Sequence, residues 1–206
     1  MSSAWRTTAM TLDDREQFVF DHWGEGMERE DKGNELSAKS AADSAKSAAD
    51  SRMNLSIITH PGQANFYGTL HGGVLLRLAD ECGAIAALRH AGGGRITTAA
   101  IDSYAFLCPV YVGERVDLCA EVTYVGRTSL EVRIEIHAEP VERAERRLVG
   151  VGYGLYVTLD PQGTPRPVPP LLSTTEADRR RDEAARARQA ARLARRAEAR
   201  REAGPC

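Results

Sequence analysis

The chain has 206 residues, 42% hydrophobic and 27% charged, with 27 basic against 29 acidic residues and a net charge of −2. That balance leaves no basic surplus for nucleic acid or an acidic membrane surface, and no apolar run reaches the roughly 20 residues of a membrane span. Cys82, Cys108, Cys119 and Cys206 show no CxxC or other metal spacing, and no apolar segment follows Met1. The reading is a cytoplasmic protein in a reducing setting, with no disulfide framework, metal or cofactor.

Residues 1–52 read as a polar extension. Thr11-Leu-Asp-Asp begins like a helix N-terminus, with Leu12, Glu16, Val19 and Trp23 on one side. Ser37–Asp43, SAKSAAD, then returns unchanged as Ser44–Asp50. The repeat has nothing larger than Ala to bury, so it reads as a flexible or frayed linker. Apolar residues concentrate from Met53 to about Val168, which assigns residues 53–172 to one domain. It opens with a short strand, Met53-Asn-Leu-Ser-Ile-Ile, stopped by His60-Pro61-Gly62.

The segment from Asn65 to His90 is the one the domain is organised around. Gly68-Thr-Leu-His-Gly-Gly73 is a turn that runs into a helix, and a helix start offers unpaired N–H donors at the positive end of its dipole. At about 100° per residue, Asp80 shares its face with Gly73, Leu76, Gly83, Ala84 and Ala87, with Arg77 at the margin. Val74, Leu78, Cys82 and Ile85 form a second apolar stripe, so the helix has a packing surface on nearly every side. That is a central helix. It ends in Ala91-Gly92-Gly93-Gly94.

Four strands follow. Ile96–Phe106 is the first. Arg115–Val125 alternates, with Val116, Leu118, Ala120, Val122 and Tyr124 on a buried face and Asp117, Glu121 and Thr123 on a wet one. Gly126-Arg127-Thr128 turns the chain, and Leu130, Val132, Ile134 and Ile136 repeat the alternation against Glu131, Arg133, Glu135 and His137. Val149, Val151, Tyr153, Leu155, Val157 and Leu159 make the last strand. An antiparallel sheet curled around one buried helix satisfies this order, an α+β class. Residues 173–206 follow as an Arg/Ala/Glu-rich segment whose Glu176–Glu202 is a solvated helix with no core of its own.

These residues carry a resemblance. Asn65-x-x-Gly68-x-x-His71-Gly72-Gly73, Asp80-Glu81, Phe106-x-x-Pro109-Val110-x-x-Gly113 and Val125-Gly126-Arg127-Thr128-Ser129-x-Glu131-Val132 occur in the order of the acyl-CoA thioesterase family of the hotdog fold. The resemblance covers about Met53 to Pro170. It implies a hotdog domain, homodimers assembled into trimers of dimers, and hydrolysis of acyl-CoA to free acid and CoA. It also implies that Asn65 of one chain completes the site that holds Asp80 of the other.

The chemistry can be argued from the residues as well. Thioester hydrolysis needs an activated water, stabilisation of an oxyanion and a grip on the leaving group. Asp80, poorly hydrated on an apolar face, suits the general base, or a nucleophile forming a mixed anhydride; its structural alternative is an ion pair with Arg77. Asn65 holds the water or the thioester carbonyl, or else closes the turn or caps the helix. The N–H groups of Gly72 and Gly73 form an oxyanion hole or serve tight packing. His71 is structural or substrate-facing. The turn Arg127-Thr128-Ser129 suits CoA phosphates and pantetheine amides, or is a polar hairpin turn; Thr98 and Ala99 join the CoA site by resemblance alone. Two other functions stay open. One is a non-catalytic acyl-CoA-binding regulator with Asp80 in a salt bridge. The other is a hotdog dehydratase, which needs a His within the long helix where this chain has only His90 at its end.

Overall fold

A computed structural model describes residues 45–203. The candidate helix at Thr11–Trp23 and the first SAKSAAD copy lie outside the described residues. The elements are α1 (Ala48–Ser51), β1 (Met53–Ile58), a 3-10 turn at Pro61–Gln63, α2 (Gly72–His90), β2 (Arg95–Phe106), β3 (Glu114–Val125), β4 (Ser129–Pro140), β5 (Arg147–Leu159) and α3 (Glu176–Ala203). The strands form one antiparallel sheet in the order β1-β3-β4-β5-β2, which leaves β1 and β2 as its edges. None of the described helices is long and apolar enough to cross a membrane.

The alternation in β3 and β4 sets the inner face. Val116, Leu118, Ala120 and Val122 face the same core as Leu130, Val132, Ile134 and Ile136, all at most 1% exposed. Against them α2 buries Leu75, Leu78, Ala79, Cys82, Gly83, Ala86, Ala87 and His90, a single stripe at 3–4-residue spacing. The second stripe expected from Val74 to Ile85 is not buried as a unit: Val74 is half-buried and Ile85 is 41% exposed. One side of α2 therefore lacks cover among the described residues.

In β5 the inward positions differ from the apolar series read in the sequence. Tyr156 faces the helix, preceded by Gly154 and Gly152, while Leu155, Val157 and Leu159 form a small cluster on the other side with Ala99 and Ala100. β2 is irregular, with register shifts between Thr98 and Ala100 and between Asp102 and Ala105, and Ser103 takes a φ of 43°. These irregularities turn Tyr104 toward β5, where a methyl group on Gly152 would overlap its ring.

The domain starts before Met53. Ser47 caps α1 in a reciprocal pair with Asp50, Lys46 bridges to Leu171, and the Lys46 ammonium donates to the Arg89 carbonyl at 2.8 Å. His90, fully buried, links these parts. Its Nε2 lies 3.0 Å from the Pro169 carbonyl, which only accepts, so Nε2 carries the hydrogen and Nδ1 accepts from Ser51 at 3.3 Å. The described half of the repeat is thus anchored at the C-terminus of α2, which corrects the linker reading for that copy.

The wet face of the sheet is also corrected. Glu121, Arg133, Tyr153 and Asp102 stand in one cross-strand row over β3, β4, β5 and β2. α3 lies across it: Arg181 meets Glu121 at 3.0 Å, the Arg188 guanidinium sits 3.9 Å from the centre of the Tyr153 ring, and Arg195 meets Asp102 at 2.8 Å. Glu131 is 0% exposed beneath the helix, accepting from Arg188 and Arg192, each at 2.7 Å, and from Thr123 at 2.7 Å. The C-terminal helix is therefore a packed layer. Its buried residues Ala185, Gln189 and Arg192 recur at helical spacing, but two of the three are polar, so apolar periodicity missed them.

Candidate active site

The turn before α2 is built on Asn65. Its Oδ1 accepts from the backbone N–H groups of Tyr67 (2.9 Å) and Thr69 (3.2 Å), and its Nδ2 donates to the Thr69 hydroxyl at 2.9 Å. This is the turn-closing role of an Asx residue, and it leaves the second amide hydrogen for a ligand. Gly68 stands in the left-handed region at φ 79° with nothing near a Cβ position, so it is needed for its conformation.

His71 caps the helix, and its Nδ1 accepts from the Gly73 N–H at 3.0 Å. That contact occupies one of the two donors expected to form an oxyanion hole. Gly72, the first residue of the helix, keeps an N–H without a partner among the described residues.

Asp80 lies two turns further along and is half-buried. Arg77 pairs instead with Glu81 at 2.6 Å, so the ion pair considered for Asp80 is absent. The mostly apolar surroundings expected for Asp80 also include two hydroxyls. Its Oδ1 accepts from the Thr98 hydroxyl at 2.8 Å and lies 3.3 Å from the Tyr156 hydroxyl, which is also 3.2 Å from the Asp80 backbone carbonyl. Oδ2 has no hydrogen-bond partner among the described residues. Burial, and then the charge of Asp80, push the Tyr156 phenol well above its ordinary range, so it remains a neutral donor.

Thr98 was grouped with CoA binding; here it touches the carboxylate. Ala99 is the extra residue of the β2 irregularity. Arg127 is exposed at the β3–β4 turn, whereas Thr128 and Ser129 are 4% and 1% exposed beside the segment in which Arg166 and Val168 bond back to Thr158 and Arg127. Their side chains face inward in this chain, unlike that of Arg127. Ser129 pairs with Val157, one step from the Leu130–Tyr156–Thr98 row that borders Asp80. The turn and the carboxylate therefore share one end of the sheet.

Tyr156 and Tyr104 were missed in the sequence. Their signal was present as glycine at alternate positions of β5, Gly150-x-Gly152-x-Gly154, which marks a strand face that must admit large rings. Among the described residues no cluster of His, Cys, Asp and Glu could hold a metal ion.

A five-stranded antiparallel sheet wrapped on one helix, with a carboxylate held between helix and sheet by hydroxyls, defines a hotdog domain of thioesterase type. Residues 67–145 match the family model of the thioesterase superfamily. An acyl-CoA thioester hydrolase of Bacillus subtilis (strain 168), YkhA, described as uncharacterized, is 36% identical over 56% of this chain and 67% of its own. The acyl-CoA hydrolase of Staphylococcus aureus, solved with butyryl coenzyme A, coenzyme A and coenzyme A disulfide, is 32% identical with a TM-score of 0.70, over 75% of this chain and 94% of that one. It has also been solved with an aspartate, an asparagine or a threonine changed to alanine. A hexameric acyl-CoA thioesterase, solved without ligand, is 35% identical with a TM-score of 0.71, over 74% of this chain and 97% of its own. The chain belongs to the hotdog-fold acyl-CoA thioester hydrolase family.

Proposed function

We propose that this protein hydrolyses acyl-CoA to a free carboxylic acid and CoA, with Asp80 as the catalytic carboxylate. The observation that carries the reading is the arrangement around Asp80, with Oδ1 engaged by Thr98 and Oδ2 without a partner. Oδ2 takes a proton from water, the resulting hydroxide adds to the thioester carbonyl, and the tetrahedral intermediate expels the CoA thiolate, which is then protonated. The Gly72 N–H is the donor for the oxyanion. In the rival route Oδ2 attacks the carbonyl itself to form a mixed anhydride. Single-turnover hydrolysis in ¹⁸O-water supports the anhydride if label enters Asp80, whereas label confined to the acid fits the general-base route or an anhydride opened at its acyl carbonyl.

The site is shared between two copies of the chain. Asn65 bonds within its own turn, to Tyr67 and Thr69, and Asp80 bonds to Thr98, with no hydrogen bond between the two among the described residues. A second copy with its α2 running antiparallel brings its Asn65 to that carboxylate. Phe66 and Tyr67 beside Asn65, Ile85 on α2 and Ile101 on the β2 edge are 89%, 79%, 41% and 52% exposed, which is the apolar surface such a partner would cover. The altered asparagine and aspartate of the S. aureus enzyme lie fifteen positions apart, as Asn65 and Asp80 do here. The hexameric relative supports further assembly into trimers of dimers. Arg127, exposed at the same end of the sheet, is assigned to the CoA phosphates, so Arg127→Ala raises KM more than it lowers kcat.

Two competing functions lose support. A regulator with Asp80 in a salt bridge does not match a carboxylate held by hydroxyls, and a dehydratase histidine does not match His90, buried and bonded to Ser51 and Pro169. The test is thiol release from acetyl- through palmitoyl-CoA. Turnover that falls at least about a hundredfold in Asp80→Asn supports the proposal; absence of release from every chain length overturns it.

A further inference from the structure

The inner face of β5 holds an aromatic side chain where the neighbouring inward positions hold none. Tyr156 is 1% exposed, beneath α2, and its hydroxyl reaches both the backbone carbonyl and the carboxylate of Asp80. Two glycines make room for it. A methyl group on Gly83, in α2, would overlap the Tyr156 hydroxyl, and one on Gly154 would stand 2.7 Å from the same atom. Glycine in the middle of a helix is unfavourable relative to alanine, so the sequence gives up helix propensity at Gly83 to admit this phenol.

A buried phenol could be there only to fill space, but the hydrogen-bond pattern says more. Thr98 and Tyr156 approach the same oxygen, Oδ1, from β2 and β5, strands paired through these two residues. The single phenol hydrogen is shared between Oδ1 and the Asp80 carbonyl, and together with the Thr98 bond it restrains rotation of the carboxylate, leaving Oδ2 as the oxygen without a partner among the described residues. The contact of 3.3 Å is long for a hydroxyl donor, as is common before substrate tightens a site. Thr98 is exposed and Tyr156 is enclosed, so the phenol is the donor that bulk water cannot replace.

We propose that Tyr156 is a positioning residue for the hydrolysis, its hydroxyl seated against Gly83 so that it orients the Asp80 carboxylate and presents Oδ2 to the reaction. It touches Asp80 and not the substrate. The inference rests on Asp80 being the catalytic carboxylate.

The full-length protein with Tyr156→Phe tests it, because only the hydroxyl is lost. Loss of one such hydrogen bond lowers kcat about tenfold. KM for acyl-CoA stays unchanged, so the loss falls on kcat alone. A role confined to packing gives the opposite pattern, a lower thermal midpoint with kcat unmoved, and that result overturns the proposal. Gly83→Ala supplies an independent arm. Displacing the phenol lowers kcat by a similar factor, and adding Tyr156→Phe lowers it no further; fully additive losses contradict the proposal. If Gly83→Ala does not fold, the kcat and KM of Tyr156→Phe decide alone. Asp80→Asn separates the two levels. Activity retained there defeats the catalytic reading itself, whereas an inactive Asp80→Asn beside a Tyr156→Phe enzyme of wild-type kcat defeats only the role of Tyr156.

Discussion

On the inner face of the sheet, α2 meets Val116, Leu118, Ile134 and Ile136 through Leu75, Leu78, Cys82 and Ala86; on the outer face, α3 meets Glu131, Tyr153 and Asp102 through Arg188, Arg192 and Arg195. The inner contact is non-directional and tolerates volume-conserving exchange, which suits a helix that must also carry a glycine slot and a half-buried carboxylate. The outer contact is directional. Each buried charge there must keep its partner, because burial has removed the water that would otherwise replace it. One helix thus presents the candidate carboxylate and the other closes the sheet behind it.

The largest effect that could break this comparison is at Glu131. Glu131→Ala leaves Arg188 and Arg192 without their shared carboxylate, and unfolding stability falls by about 3–5 kcal/mol. Turnover per folded molecule, measured below the transition, stays at the wild-type value; a dead but fully stable variant would show that the outer face serves catalysis. Replacing Glu131, Arg188 and Arg192 together by Leu, Met and Leu sharpens the point. It costs far less than the single change, within about 1 kcal/mol of wild type, since desolvated charges are exchanged for apolar contact. A triple variant as unstable as Glu131→Ala would mean that the ionic network has a net worth denied to it here.

A smaller effect concerns pH. Burial holds His90 below its ordinary value of 6.5, against the opposing pull of its bond to Pro169, with Lys46 and Asp50 as the nearby charges. The native state therefore binds a proton less readily than the unfolded chain. Its contribution is whole above pH ~6.5 and is lost as the pH falls toward the lowered native value. Thermal midpoints taken from pH 8 to pH 5 should fall less steeply in His90→Gln than in the wild type; parallel curves would remove His90 from the account. The smallest effect is at Arg77, whose exposed pair with Glu81 is worth about 0.5 kcal/mol or less. Arg77→Ala leaves kcat unchanged, and a large loss of kcat would restore the pairing of Arg77 with Asp80.

The difference between the faces also explains what could be read from the sequence. Strands with strict alternation, such as Arg115–Val125 and Leu130–Ile136, and the helix from Gly72 to His90 announce themselves because apolar burial leaves a period. The order of those elements was enough for the fold. α3 was legible as a helix but not as a packed one, because its buried side is Ala185, Gln189 and Arg192, residue types that usually face solvent. In β5 Leu155, Val157 and Leu159 form a cluster apart from the main core, and the positions leading to the inward Tyr156 are Gly150, Gly152 and Gly154, so the period was visible and its direction was not. Asp80 and Asn65 were singled out by residue type and motif, whereas Tyr156 was hidden, since a tyrosine among valines reads as core. The burial of Thr128 and Ser129 depends on the Thr164–Val168 segment folding back over them, a long-range contact that turn chemistry does not encode.

The claim that the inner face of α2 carries hydrolysis in a site shared by two chains is tested most directly by mixing two inactive variants. Asp80→Ala lacks the carboxylate and Asn65→Ala lacks the amide, and each alone is nearly inactive. Equal amounts refolded together place both variants in about half the dimers, each with one doubly damaged site and one intact site. The account predicts recovery of roughly a quarter of wild-type thiol release. A mixture no more active than its parents, with mixed dimers confirmed by mass spectrometry, would contradict it.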